Sequence, residues 1–207
     1  MNSKLQLNQI SNKIVDRANI YKLFSDSFKF PQDIMQETLQ LLHSTLNNYD
    51  NIFVNGEKKL VDSFKATSLQ KLQIEYSRLF VGPYQLGAPP YSSVYLDKQG
   101  LVMGESTQMA IEFYIKAGLD PAREIYEPPD HIRIELEFMY FLLFKKVMNK
   151  KKQWQDLSCE FMEKHLSHWV FAFTKKLLDS TENKFYSELS NLLELFLSRE
   201  IEFFEKR

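Results

Sequence analysis

The chain has 207 residues, 44% hydrophobic and 14% aromatic, with six glycines and a formal net charge of -1. That composition marks a globular rather than a disordered chain and removes any overall electrostatic case for a nucleic-acid partner. Scarce glycine argues against a loop-rich β architecture or a glycine-rich nucleotide fold, and the lone Cys159 excludes an internal disulfide and fits a reducing compartment.

The stretch Met1 to Asp16 is polar, and no apolar run reaches membrane-spanning length. The chain therefore reads as a soluble cytoplasmic protein with no stable membrane insertion. Ile10, Ile14, Val15, Ile20, Leu23 and Phe24 predict a first helix to about Phe28, closed by Phe30-Pro31. Ile34, Met35, Leu39, Leu42 and Leu46 predict a second, followed by a loop at 47–51. A third is predicted from about Lys58 to Phe80, carrying Leu60, Phe64, Leu69, Leu72, Tyr76, Leu79 and Phe80. Gly82-Pro83 ends it. The next 20 residues or so hold Gly87, Pro89 and Pro90 and are predicted to contain no regular helix.

A fourth helix spans about Glu105 to Ala117, with Gly118 as its C-terminal cap, and Asp120 to Pro129 is a second loop. The fifth begins near Asp130. Its two apolar faces, Ile132-Leu136-Met139-Leu143-Val147 and Ile134-Phe138-Phe141-Leu142, predict a central helix buried nearly all round. Arg133 and Glu137 are spaced to pair across a turn. Lys145, Lys146, Lys150, Lys151 and Lys152 read as a helix C-terminus and solvated loop rather than an anion patch. Two amphipathic helices follow, about Trp154 to Leu178 and Asn183 to Phe204. With no internal repeat, the expectation is one all-α domain over 1–207, a bundle of roughly six to eight helices.

Catalytic motifs are weak. Gly82-Pro83-Tyr84-Gln85-Leu86-Gly87 has phosphate-loop glycine spacing, but Ala88-Pro89 stands where Lys and Ser/Thr must hold phosphate and magnesium. His165 and His168 lack further metal ligands in sequence, and Phe161, Trp169 and Phe173 around them favour packing. Cys159 has no adjacent activating partner, and no nucleophile elbow occurs. These features predict no cofactor, no metal and no enzyme.

Two loop segments stand out. In Pro128-Pro129-Asp130-His131, Asp is a preferred N-cap and the prolines block helix before it. Capping leaves His131 unexplained, and a neutral imidazole beside a carboxylate can bind a ligand's donor groups. In Pro89-Pro90-Tyr91-Ser92-Ser93-Val94-Tyr95, a stiff extended segment carries tyrosines that either cover the core or wall a peptide groove.

Together with Glu75-Tyr76-Ser77-Arg78-Leu79-Phe80-Val81-Gly82-Pro83, these segments resemble the TorD/DmsD/NarJ family of assembly chaperones for molybdenum-containing oxidoreductases. The motif continues through Ile132-Arg133-Ile134-Glu135-Leu136-Glu137-Phe138-Met139, and a family-like stretch follows at 161–169. The resemblance is closer to the TorD and DmsD branches. It implies an all-helical fold and a cytoplasmic chaperone that binds the twin-arginine signal peptide of an apo-molybdopterin oxidoreductase and assists cofactor insertion before export. By motif it assigns peptide binding to Asp130, His131, Glu135, Tyr91, Ser93, Tyr95, Leu79, Phe80, Pro83 and Glu75. Tyr91 stands where relatives often carry Trp. Carboxylates near the motifs, Glu75, Asp97, Glu105, Asp130 and Glu135, suit a ligand with two guanidinium groups. Other implied readings are service to a non-exported subunit, as in the nitrate-reductase branch, and weak guanine-nucleotide binding or hydrolysis, which this sequence supports with no phosphate loop. The state is expected to be a monomer or a domain-swapped dimer, the loops 81–100 and around Asp120 offering hinges.

Overall fold

Helix α1 spans Asn2–Ser27, and its apolar positions Ala18, Ile20, Tyr21, Leu23 and Phe24 are buried. Val15, predicted to join them, is exposed. The chain continues through α2 (Met35–Tyr49), α3 (Gly56–Lys65) and α4 (Leu69–Tyr76). The computed structural model describes residues 2–53, 55–83, 85–98, 100–120 and 127–205, with 2–12 given by backbone alone. Most of the predicted loop from Asp120 to Pro129 lies outside the described residues.

The single helix expected from Lys58 to Phe80 is broken. Thr67 interrupts it, and Ser68 restarts the chain by accepting the Lys71 N–H at 3.4 Å. A hydroxyl that can bond the backbone locally favours such a restart over continuous helix. Residues Ser77–Val81 then widen into a π turn, closed by Gly82 N–H donating to the Ser77 carbonyl at 2.9 Å. Leu79 and Phe80 lie in that turn and point into the core.

The proline-rich stretch after Gly82 does hold helix, contrary to expectation. A short α5 (Ser92–Leu96) follows Pro90, where paired prolines no longer restrict the backbone. Helix α6 (Glu105–Lys116) ends as predicted at Gly118. That residue has φ +79°, and Leu119 N–H bonds back to the Tyr114 carbonyl. The start of α6 is capped from a distance, Ser106 N–H donating to the Asp97 carboxylate at 3.1 Å.

Helix α7 (Ile132–Asn149) is the central element, packed chiefly on α1 and α8 (Lys152–Phe161). Ile132, Leu136, Phe138, Met139, Leu142 and Leu143 are buried. The expectation of burial nearly all round holds only for its first half, because Phe144 and Met148 are 44% and 64% exposed. Its C-cap is Lys150, in the left-handed region at φ +53°. A second π turn, Met162–Leu166, joins α8 to α9 (Ser167–Ser180), and α10 (Lys184–Glu205) packs against α9 and α3. The expected all-α architecture stands: extended pairing among the described residues is limited to one isolated bridge, Tyr91 with His131. No described helix is long and apolar enough to cross a membrane.

Candidate functional site

That bridge brings the two outlying loop segments together. Ile132 N–H donates to the Pro90 carbonyl at 2.8 Å, and Ser92 N–H to the Asp130 carbonyl at 3.0 Å. The extended backbone that each proline pair imposes supplies the geometry for these two bonds.

The Asp130 side chain is fully buried. Its Oδ2 accepts from Ser93 N–H at 3.0 Å and from Ser93 Oγ at 2.6 Å. Asp130 is thus a helix cap, but for α5 and not for the helix it precedes. The cap of α7 is His131, whose Nδ1 accepts the Arg133 N–H at 3.0 Å. Burial, aided by the Arg133 charge and opposed by Asp130, lowers the imidazole to about 3. The ring is neutral at pH 7, with the proton on Nε2 because Nδ1 is the acceptor. This accounts for a histidine at a helix N-terminus, where an imidazolium is disfavoured.

A pH dependence follows. An unfolded chain gains a proton on this imidazole near 6.5, whereas the folded one does not until about 3. Stability therefore falls as pH drops between those values, by about 2 kcal/mol at pH 5. Replacing His131 by Asn keeps a cap acceptor and removes the titration. Urea melts of His131→Asn should lose less stability than wild type between pH 7 and 5; equal losses would refute this account.

Glu135, also fully buried, follows one turn later. Its Oε1 bonds His165 Nε2 at 2.7 Å and its Oε2 accepts the Trp169 indole N–H at 2.8 Å. Burial raises the Glu135 carboxyl above its ordinary value despite these partners. Burial acts on His165 in the opposite sense, and the Glu135 charge overcomes it and raises that imidazole. The π turn holding His165 and the α9 residue Trp169 are both locked onto α7 by this one carboxylate. Tyr95 of α5 stacks on Trp169, with ring centroids 5.7 Å apart.

Thus Tyr91, Ser93, Tyr95, Asp130, His131 and Glu135 form one connected unit. Ser93, Asp130 and Glu135 have no exposed surface, and His131 is 7% exposed. The expected carboxylate contacts at Asp130 and Glu135 are instead directed inward. The half-buried Tyr91, edge-on to His131 at 5.4 Å, is the member of the unit nearest solvent on that side.

The remaining predicted site residues are placed elsewhere. Leu79 and Phe80 are core residues, Phe80 packing on Tyr76 and Tyr186 at 5.1 and 5.8 Å. Pro83 is exposed. Glu75 ties α4 to the α9–α10 connection, accepting from Arg78 at 2.7 Å and from Thr181 Oγ1 at 2.5 Å. Burial pushes its carboxyl up, but these bonds outweigh it and hold the group below its ordinary value.

Sequence reading passed over the outer wall. Arg133 was expected to pair with Glu137, which it does loosely at 3.6 Å. Its closer partner is Glu127, whose Oε2 accepts from Nε at 2.9 Å and lies 2.8 Å from a terminal guanidinium nitrogen. Tyr76, with Phe30 edge-on to it at 5.4 Å, senses the charges of Glu127 and Arg133, as does Tyr91 that of Glu127. Glu127 gave no signal in sequence, because only folding brings the loop before α7 beside α4.

Comparisons with known proteins identify the family of the chain. A family model described as the nitrate reductase delta subunit matches residues 32–175. The chaperone protein TorD of Vibrio vulnificus (strain YJ016) is 30% identical over 152 residues, covering 70% of this chain and 69% of that protein. The Tat proofreading chaperone DmsD of Salmonella typhimurium (strain LT2) is 30% identical over 137 residues, 66% of this chain and 63% of that one. A crystal structure described as a putative redox enzyme maturation protein from Archaeoglobus fulgidus superposes with a TM-score of 0.56 at 27% identity. It covers 86% of this chain and 93% of that one. The matched region contains both loop segments and the buried unit they form, and the chain belongs to the TorD/NarJ family described by the nitrate reductase delta subunit model.

Proposed function

We propose that this protein is a cytoplasmic chaperone. It binds the twin-arginine signal peptide of a molybdopterin-containing oxidoreductase and assists maturation of that enzyme before export. The observation that carries this reading is the juxtaposition, in a member of this family, of the two proline-stiffened loops with an aromatic and acidic wall. Tyr91, Tyr76 and Phe30 line the wall, and Glu127 and Glu137 are each about 40% exposed. A peptide with two guanidinium groups and an apolar continuation needs carboxylates, ring faces and apolar surface, all of which this wall offers. Asp130, His131, Glu135 and Ser93 serve the site as the frame that holds Tyr91 in place.

Titration calorimetry with synthetic twin-arginine signal peptides from the same genome tests the proposal. Binding is expected in the micromolar range or tighter, roughly -8 kcal/mol or better. Tyr91→Ala should weaken it about tenfold without lowering the melting temperature. Silence toward every such peptide would refute the ligand assignment. A family model described as a nitrate reductase subunit also supports a client that is not exported. Co-purification of an untagged reductase lacking a cleavable signal would favour that reading.

A further inference from the structure

Arg133 is 17% exposed as a side chain and lies between two carboxylate side chains that are each about 40% exposed. Its Nε and one terminal nitrogen both reach Glu127 Oε2, while the other terminal nitrogen lies 3.6 Å from Glu137 Oε2. Glu137 is also bonded by Lys22 from α1, at 2.7 Å. The pair of carboxylates thus forms a seat that already holds a guanidinium, beside Tyr91 and Tyr76. Nothing in the frame around Asp130 and Glu135 requires this guanidinium. Ser93 bonds Asp130 Oδ2, His165 and Trp169 bond the two Glu135 oxygens, Asp130 Oδ1 has no hydrogen-bond partner among the described residues, and the α7 cap uses the Arg133 backbone N–H alone.

We propose that Arg133 is an internal stand-in for a client arginine. Its guanidinium occupies the Glu127–Glu137 seat in the free protein and is exchanged for a peptide guanidinium on binding. This rests on the proposed function and specifies how that site admits its ligand. The seat selects guanidinium over ammonium because two nitrogens of a planar fork converge on one carboxylate while the third faces the other. Exchange keeps the number of ion pairs unchanged, so wild-type affinity depends weakly on salt. Once the stand-in is gone, the peptide arginine adds a net ion pair and salt dependence steepens. The cost of evicting a part-exposed partner is modest, so its removal should tighten binding by about fivefold.

The test compares wild type, Arg133→Gln and Glu127→Gln/Glu137→Gln by calorimetry at 20 and 200 mM salt. The probes are a synthetic peptide with two adjacent arginines before an apolar stretch and its double-lysine counterpart. Lys152→Gln, at the start of α8 beyond the far end of α7, controls for the lost positive charge. Thermal melts confirm that each variant is folded. The expected result has three parts. Arg133→Gln binds the arginine peptide about fivefold more tightly with a steeper salt slope, Lys152→Gln does not, and the double glutamine variant loses most affinity. Wild-type affinity in folded Arg133→Gln, equal gains in Lys152→Gln, or no preference of Arg133→Gln for arginine over lysine would each overturn the stand-in while leaving the chaperone reading intact. No binding by either wild type or Arg133→Gln would sink that reading, and this inference with it.

Discussion

Glu200→Ala is expected to destabilise the protein by about 3–5 kcal/mol, a large share of the stability of a domain this size. Glu200 on α10 is fully buried and Arg17 on α1 is 1% exposed. The carboxylate accepts from Arg17 Nε at 2.8 Å and from a terminal nitrogen at 2.7 Å, and the Tyr49 hydroxyl of α2 donates to it at 3.0 Å. The guanidinium carbon also sits 3.8 Å from the centre of the Phe203 ring. Truncating Glu200 leaves the buried Arg17 cation and the half-buried Tyr49 hydroxyl without their acceptor. Replacing both charges, as in Arg17→Met with Glu200→Leu, removes the desolvation cost together with the attraction. That double variant should lie within about 1–2 kcal/mol of wild type. Urea denaturation followed by circular dichroism reads both. A Glu200→Ala protein as stable as wild type would mean that the three-helix junction is not held by this pair.

Glu135 provides the second large effect and separates a structural role from direct ligand contact. Alanine there strands two buried donors, His165 Nε2–H and Trp169 Nε1–H, each costing about 1–3 kcal/mol, so a loss of about 3–5 kcal/mol is expected. Glutamine should cost less, about 1–3 kcal/mol, because the buried His165 Nδ1 has no hydrogen-bond partner among the described residues for the displaced proton. Its carbonyl can accept from Trp169 while its amide donates to His165 Nε2, with the imidazole proton moved to Nδ1. Because Glu135 has no exposed surface, Glu135→Gln should also bind a twin-arginine peptide like wild type. A folded Glu135→Gln protein that binds tenfold more weakly would show instead that the carboxylate reaches the client.

Much of the fold was legible because it depends on local periodicity. The spacing of Ile132, Leu136, Met139 and Leu143 implied α7, and Gly118 marked the end of α6 as a residue able to take φ +79°. The reading failed where a choice depends on distant partners. Residues 58–80 have an unbroken helical pattern, yet Ser68 restarts the chain and the turn at 77–81 widens so that Leu79 and Phe80 enter the core. Short α5 lay beyond periodicity because its cap comes from Asp130, 37 residues beyond Ser93.

The site divides in the same way. Residue types and their order identified the two loops, the family, and Asp130 as a residue with capping chemistry, while the capping role of His131 came only from the structure. The amino-acid sequence by itself determined which residues carry that chemistry, because proline restriction, cap preference and helical spacing are properties of short segments. Only the tertiary structure decided what each one acts upon. It turned Asp130 to α5 and gave α7 to His131. It buried Glu135 between His165 and Trp169, and it set Glu127 against Arg133 on the outside. The physical reason is that a buried carboxylate must find donors wherever packing brings them, and those donors came from helices 30 or more residues away in the chain.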